Sequence, residues 1–376
     1  MFIENEGNLY SFEVELSSRY SYHYFNNNID LILQNPSLTY NIRNLTFRTH
    51  NYDPQNTIKL LEILYSNYNS ISSMVLDFPI YNDCHSLIEK CLAQMIISQH
   101  DLRKISFESF VNLYNPFLTL KDSNCSNTLN TTIFYYIDFE NTISILQEVF
   151  DQLNVLECIH IIYCHSLNSD FVKLLSDYLE NFGFKSIMYY NEYNEPKRQL
   201  FEFITKYCKK IRYFESGIPD DNNIYLFIEN NQHNINYLTI KLNTYSDYKE
   251  LSSTILQNLG QVLSSKLEYL CLSLSFIKTN DLEIFLKNSQ NTFIKKLLIR
   301  NIVSVKYEKF LFCIKKYITK KERVKYLAIT NEDDIDNELF TLKNEVNEFK
   351  LHNIIVKKFY DLNFDPYSFI DNNYLQ

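Results

Sequence analysis

Between Leu267 and Ile302 the chain states a pattern and then starts it again. Leu267, Leu270 and Leu272 are apolar at relative positions 1, 4 and 6, and Ile294, Leu297 and Ile299 repeat that spacing 27 residues later. The intervening Thr279-Asn280-Asp281 can cap a helix that carries Leu282, Ile284, Phe285 and Leu286. A short strand followed by a short amphipathic helix cannot bury its apolar face alone, so the unit must stack on copies of itself. This requirement constrains the fold more than any other feature of the sequence.

The same spacing runs through most of the 376 residues. Position-4 anchors are read at 12, 45, 74, 105, 137, 159, 187, 214, 238, 270, 297, 327 and 354, with a mean period between 28 and 29. Three of these strands are read as Phe134/Ile137/Phe139, Phe184/Ile187/Tyr189 and Leu351/Ile354/Val356. Helices are expected in NSDFVKLLSDYLENF, EPKRQLFEFITKYCKK and YSDYKELSSTILQNLGQVL, and an Asn-capped one near 28–34. The polar stretch at 111–131 reads as an irregular loop, and 360–376 as a C-terminal tail. Strands alternating with helices at a fixed period specify parallel stacking. The pattern resembles the α/β leucine-rich-repeat class: a single solenoid over 1–376, a horseshoe with a parallel concave sheet of about 13 short strands and helices on the convex side. A doubly wound sheet would need about half as many strands and a crevice loop. At position 9, where the family places Asn or Cys, only Ser17, Thr142, Cys164, Asn243 and Ser275 fit, so the ladder is irregular.

Composition removes several functions. The four glycines, Gly7, Gly183, Gly217 and Gly260, lie far apart, which excludes a phosphate loop or dinucleotide fingerprint. With 36 basic and 45 acidic residues the net charge is −9, which disfavours nucleic acid or an anionic membrane as partner. The eight cysteines form no CxxC pair and read as reduced core thiols of an intracellular protein, in cytoplasm or nucleus. The beginning, MFIENEGNLY, has no apolar signal segment, and no run reaches membrane-spanning length. Cys158 and His160, with Cys164 and His165 beyond, lack the spaced second pair of a metal site and the oriented acid of a Cys–His nucleophile. Residues 331–338 (NEDDIDNE) lack the mid-loop Gly of a calcium loop. No catalytic constellation, metal site or cofactor is expected. Lys315, Lys316, Lys320, Lys321, Arg323 and Lys325 read as a solvated patch at a helix C-terminus.

If positions 1, 4 and 6 point inward, positions 3, 5 and 7 face the concave surface. Five of thirteen position-3 residues are Tyr (Tyr136, Tyr213, Tyr237, Tyr269 and Tyr326), where 30 in 376 would give about one. Tyr213, Tyr237 and Tyr269 fall on consecutive strands and read as an aromatic stripe suited to a protein partner. The plainer account is strand propensity in a Tyr-rich chain. Acidic residues (Glu13, Glu15, Asp77, Glu108, Asp138, Glu140, Glu215) precede basic ones (Lys241, Lys296, Arg300, Lys357), with Arg48 and Lys104 out of order, which suits a bipolar groove. The partner-binding face expected from these rows comprises Tyr136, Glu140, Cys158, His160, Tyr213, Glu215, Tyr237, Lys241, Tyr269, Lys296, Arg300 and Tyr326.

The strands at 42–47, 156–161, 235–240, 267–272, 294–299 and 324–329, with the Asn/Ile/Tyr-rich helices between them, resemble the repeat region of F-box/leucine-rich-repeat proteins of the divergent fungal type. That resemblance implies a substrate receptor of an SCF-type cullin–RING ubiquitin ligase, in which repeats hold the target and a preceding helical F-box holds the ligase core. The F-box itself is not found, and the chain enters on a strand at Leu9 with no polar cap before it. The expectation is therefore a non-catalytic protein-binding module with its N-terminal cap or F-box missing, joined to the ligase core only where a longer form carries that element. A stand-alone scaffold or inhibitor is the competing class.

Overall fold

The computed structural model describes residues 10–16, 18–35, 41–49, 54–67, 69–77, 85–108, 114–140, 142–183, 195–216, 223–242, 249–301, 307–319, 323–331, 338–366 and 370. Two compact units divide the chain, Met1–Tyr178 and Leu179–Gln376. In the first, strands and helices alternate as β1 (Ser11–Leu16), α1 (Arg19–Leu33), β2 (Asn44–Thr49), α2 (Pro54–Asn67), β3 (Ser73–Asp77), α3 (His85–Ile97), β4 (Lys104–Glu108), α4 (Tyr114–Asp122), β5 (Thr131–Tyr135), α5 (Ile143–Phe150), β6 (Cys158–Ile162) and α6 (Ser169–Leu175). The second continues with β7 (Leu179–Gly183), α7 (Glu195–Tyr207), β8 (Tyr213–Ser216), α8 (Asn223–Asn231), β9 (Tyr237–Lys241), α9 (Lys249–Val262), β10 (Lys266–Leu274), α10 (Thr279–Asn288), β11 (Phe293–Asn301), α11 (Tyr307–Ile318), β12 (Val324–Asn331), α12 (Lys343–Lys350), β13 (Ile355–Val356) and α13 (Phe359–Leu362). Strand order within each unit follows chain order, and the described pairings are parallel. Thirteen parallel strands alternating with helices make this a leucine-rich-repeat solenoid.

The register explains why the repeats stack. Phe12, Leu45, Met74 and Ile105 stand side by side, as do Phe214, Leu238, Leu270, Leu297 and Leu327. The anchors from Leu45 onward are at most 1% exposed. Large rings fill the space between sheet and helices. Phe107 stacks on Phe134 at 6.0 Å in the first unit, and Phe214 meets Phe227 of α8 at 4.3 Å in the second. Each such pair is worth about 0.5–1.5 kcal/mol beyond its burial. Helix starts follow local capping chemistry. Ser18 and Ser21 form a reciprocal capping box, and the Asn168 side chain accepts from the Phe171 N–H at 2.9 Å.

Three strands sit elsewhere than the spacing suggested. β5 is Thr131–Tyr135, with Thr132 rather than Ile137 opposite Ile159. Threonine reads as polar in a sequence, yet it is β-branched and pairs well in a strand. The expected loop at 111–131 holds α4 and a 3-10 turn at Asn124–Asn127 before β5 begins. β7 lies inside the stretch expected to be one long helix: α6 stops at Leu175, and Phe182 pairs with Phe214. The expected strand at 184–189 lies outside the described residues, and Asn181 takes the slot given to Ser186. β13 begins two residues late. Asn353 adopts a left-handed φ of 58° after α12, and Val356 rather than Ile354 pairs with Leu327. The helix expected near 28–34 starts earlier, at Arg19. Of the tail expected at 360–376, the described residues include the end of α13 and residues 363–366.

Candidate functional site

The helix-free face of the strands carries positions 3, 5 and 7. In the first unit it is largely covered, since every residue of β3, β4 and β6 is buried. Its charges pair across strands: the Arg48 guanidinium lies 3.1 Å from Glu108 and 3.4 Å from Glu13. Cys158 and His160 do occupy positions 3 and 5 of β6, but both are buried, and the Cys158 sulfur lies 3.3 Å from the Thr131 hydroxyl. Tyr136 and Glu140 leave the face altogether because β5 is shifted. Tyr136 follows the strand with φ 55°, its N–H donating to the Ile162 carbonyl, and Glu140 is an exposed residue beyond it. The Tyr136 ring instead packs with Tyr135 and Tyr163, at 4.6 and 5.2 Å.

The second unit places Tyr213, Tyr237 and Tyr269 side by side on β8, β9 and β10, as the spacing predicts. The stripe is not open to solvent. Tyr213 and Tyr269 are each 1% exposed, because Phe364 from the end of the chain lies across them. Its ring stands 5.2 Å from Tyr213, 4.8 Å from Tyr237 and 5.2 Å from Tyr269. The Tyr269 hydroxyl accepts from the Phe364 N–H at 3.2 Å and reaches Asn363 Oδ1 at 3.5 Å. Burial pushes the Tyr269 phenol far above the ordinary tyrosine range. Beside it, the Tyr213 hydroxyl donates to Glu215 at 2.5 Å, and Lys241 closes on the same carboxylate at 2.7 Å.

The next row explains where the end of the chain rests. Cys271, Leu298 and Ala328 hold position 5 on β10, β11 and β12, and Phe359 and Leu362 of α13 pack on them. These strands are apolar on both faces, so a second layer is required on the helix-free side. The signal was legible in LCL, LLI and LAI, where the residues between inward anchors are apolar too. A reading that took only Tyr and charge from the outward positions missed it, and with it Phe359, Leu362 and Phe364. Lys296, Arg300 and Tyr326 stay half-buried beside this layer, and Lys241 is also partly exposed.

Elsewhere the chemistry is structural. Burial pushes the Cys271 thiol up to about 11 and that of Cys164 to about 12, so neither is a thiolate nucleophile at neutral pH. Among the described residues no cluster of His, Cys, Asp and Glu converges on a metal position, and no helix is long and apolar enough to cross a membrane. The basic patch is divided: Lys315 binds Glu345 and Glu348, and Lys316 binds Glu283. Arg323, expected in solvent, is 5% exposed beneath the end of α10, while Lys320 and Lys321 lie outside the described residues.

No protein-family model matches the sequence, and no curated protein does either. Among solved structures the chain is similar to the leucine-rich-repeat-containing protein LegL7 from Legionella pneumophila, at 10% identity and a TM-score of 0.44, covering 77% of this chain and 93% of that one. The fold assignment rests on the strand register above.

Proposed function

We propose that this chain is a non-catalytic protein-binding module, and that its second unit receives a polypeptide on the helix-free face of β8 to β12. One observation carries the reading. That face already holds a polypeptide, the chain's own residues 357–366, bedded on Cys271, Leu298 and Ala328 and capped by the tyrosine stripe. Tyrosine is favoured in interface hot spots because it offers large, stiff contact area with a polar tip. Lys296, Arg300 and Tyr326 lie beside it, half-exposed.

The finer form of the proposal follows the resemblance to F-box/leucine-rich-repeat proteins: the module is the target-recognising part of an SCF-type ubiquitin ligase. A stand-alone scaffold or inhibitor would use the same face without the ligase core.

Cross-linking mass spectrometry on the tagged chain in its own cells tests both levels. The expected result is a recurring partner linked to Lys241 or Lys296 and lost from K296E/R300E at an unchanged melting temperature. Cross-links confined to lysines of the helices, such as Lys315 and Lys316, would refute the assigned face. Cullin and adaptor subunits in the same eluate support the ligase role, and a recurring partner without them leaves the scaffold.

A further inference from the structure

The end of the chain does more than close the last repeat. β13 is two residues long and pairs with β12. Residues 357–366 then turn back over the sheet. Phe359 and Leu362 lie on β10 to β12, and Phe364 reaches Tyr213 on β8, five strands from β13. The segment crosses the strands rather than joining their ladder. Beyond the bond from the Lys357 N–H to the Leu327 carbonyl at 3.0 Å, it is held by side chains and by the Phe364 N–H on the Tyr269 hydroxyl. Tyr360, inside the same turn, is 69% exposed.

Such an attachment has the form of a ligand on a receptor. Three apolar side chains in the order Phe-x-x-Leu-x-Phe fill an apolar bed, and Lys357, Lys358, Asp361 and Asp365 around them leave the segment without net charge. Beside that bed stand Lys241, already paired with Glu215, and the half-buried Lys296 and Arg300. We propose that residues 357–366 are a tethered ligand of the helix-free face of β8 to β12, and that the partner is a polypeptide with the same aromatic–x–x–leucine–x–aromatic pattern, which takes the face when the segment leaves it. The proposal rests on the protein-binding reading and names its ligand class. It also gives the module a built-in threshold. A segment tethered so closely competes at an effective concentration on the order of millimolar, so an external peptide must be tight or multivalent to displace it.

The test uses the full-length chain and a fluorescein-labelled synthetic peptide of residues 357–366. Wild type and F359A/F364A are titrated by fluorescence anisotropy. The expected result is binding to the variant at least tenfold tighter than to wild type, abolished when both Phe residues of the peptide are Ala. A folded variant that binds no better than wild type overturns the proposal. Hydrogen exchange on wild type decides the matter even where the variant does not fold. Amides 359–364 are expected to exchange by local opening, at least tenfold faster than those of β10 and β11. Exchange only with unfolding of the whole unit makes the segment an integral cap and overturns the proposal. Because the peptide is the chain's own, failure to recover a cellular partner leaves this result standing, and the reverse also holds.

Discussion

Arg323 shows how a residue of ordinary surface type becomes a structural bolt. Its Nε donates to the Thr292 carbonyl at 3.2 Å, one Nη to the Leu286 carbonyl at 3.3 Å, and the other Nη to the Ser289 carbonyl and hydroxyl. The carbonyls at the end of a helix have no partner within it. Here the guanidinium just before β12 adds a donor for Leu286, Ser289 and Thr292, and the fixed fork of five donors suits the task better than a lysine would. Arg323→Met keeps the stem and removes the donors; the Ser289 and Leu286 carbonyls retain the Thr292 N–H and the Gln290 amide, while the Thr292 carbonyl loses the guanidinium. The expected loss is about 1–3 kcal/mol in urea unfolding of the full chain. Tyr269 makes a matching case for pH. Its phenol is held neutral in the folded state by burial, whereas in the unfolded chain it ionises near pH 10. Folded protein therefore retains the proton that unfolded protein loses, and stability falls as pH rises past about 10. Cys271, pushed up to about 11, titrates nearby, so the informative measurement is the difference between wild type and Y269F. The variant should show the shallower decline between pH 9 and 11.

Among the elements, α9 and α10 approach most tightly at Gly260. A Cβ there would stand 2.7 Å from the Phe285 carbonyl oxygen and 3.0 Å from the Asn288 Cβ. Alanine is the better helix former by about 1 kcal/mol, but the obstacle is backbone of the neighbouring helix and cannot swing aside. Gly260→Ala should therefore destabilise by about 1–3 kcal/mol net, read as a lowered denaturation midpoint at unchanged m. The same pair of helices is tied by Asp281, which accepts from Ser253 at 2.5 Å and Gln257 at 2.8 Å. The helix begins at Thr279 as expected, but its N-cap is Lys278 and no side chain caps it; Asp281 serves the first turn and the neighbouring helix instead. Most strands were equally legible, since Leu, Ile and Phe at inward positions leave few alternatives. Two of the three misplaced strands share a cause, and the third has a local one. Thr132 and Phe182 find their places by pairing with Ile159 and Phe214 across the sheet, and Val356 waits on the left-handed turn at Asn353. For β5 and β7 partners 27 or more residues away set the register, and a local pattern carries no record of them. At the candidate site the stripe was readable on its own strands. The segment covering it was not, because nothing local to 357–366 names the strands it lies on.

At the scale of the molecule, the second unit is a sheet with two unequal coats. Helices cover one face over its whole length, and residues 357–366 cover part of the other. Neighbouring residues on one strand therefore belong to different layers. Leu297 and Leu298 are both fully buried, yet Leu297 stands in the anchor row with Leu270 and Leu327, whereas Leu298 joins Cys271 and Ala328 under α13. Substituting each by alanine separates the layers. Leu297→Ala opens a cavity in a core that packs against helices on one side and strands on both flanks, at a cost of about 2–5 kcal/mol. Leu298→Ala should cost less, since the short segment above it can settle or lift away. The contrast is expected in the kind of opening as much as in its size. Leu297→Ala should raise exchange across β10 to β12 together, and Leu298→Ala should raise it chiefly in 359–364 and expose the bond after Tyr360 to limited chymotrypsin digestion. Equal loss of protection in both variants would mean that the two coats unfold as one layer, and the division between a permanent core and a removable cover would fail.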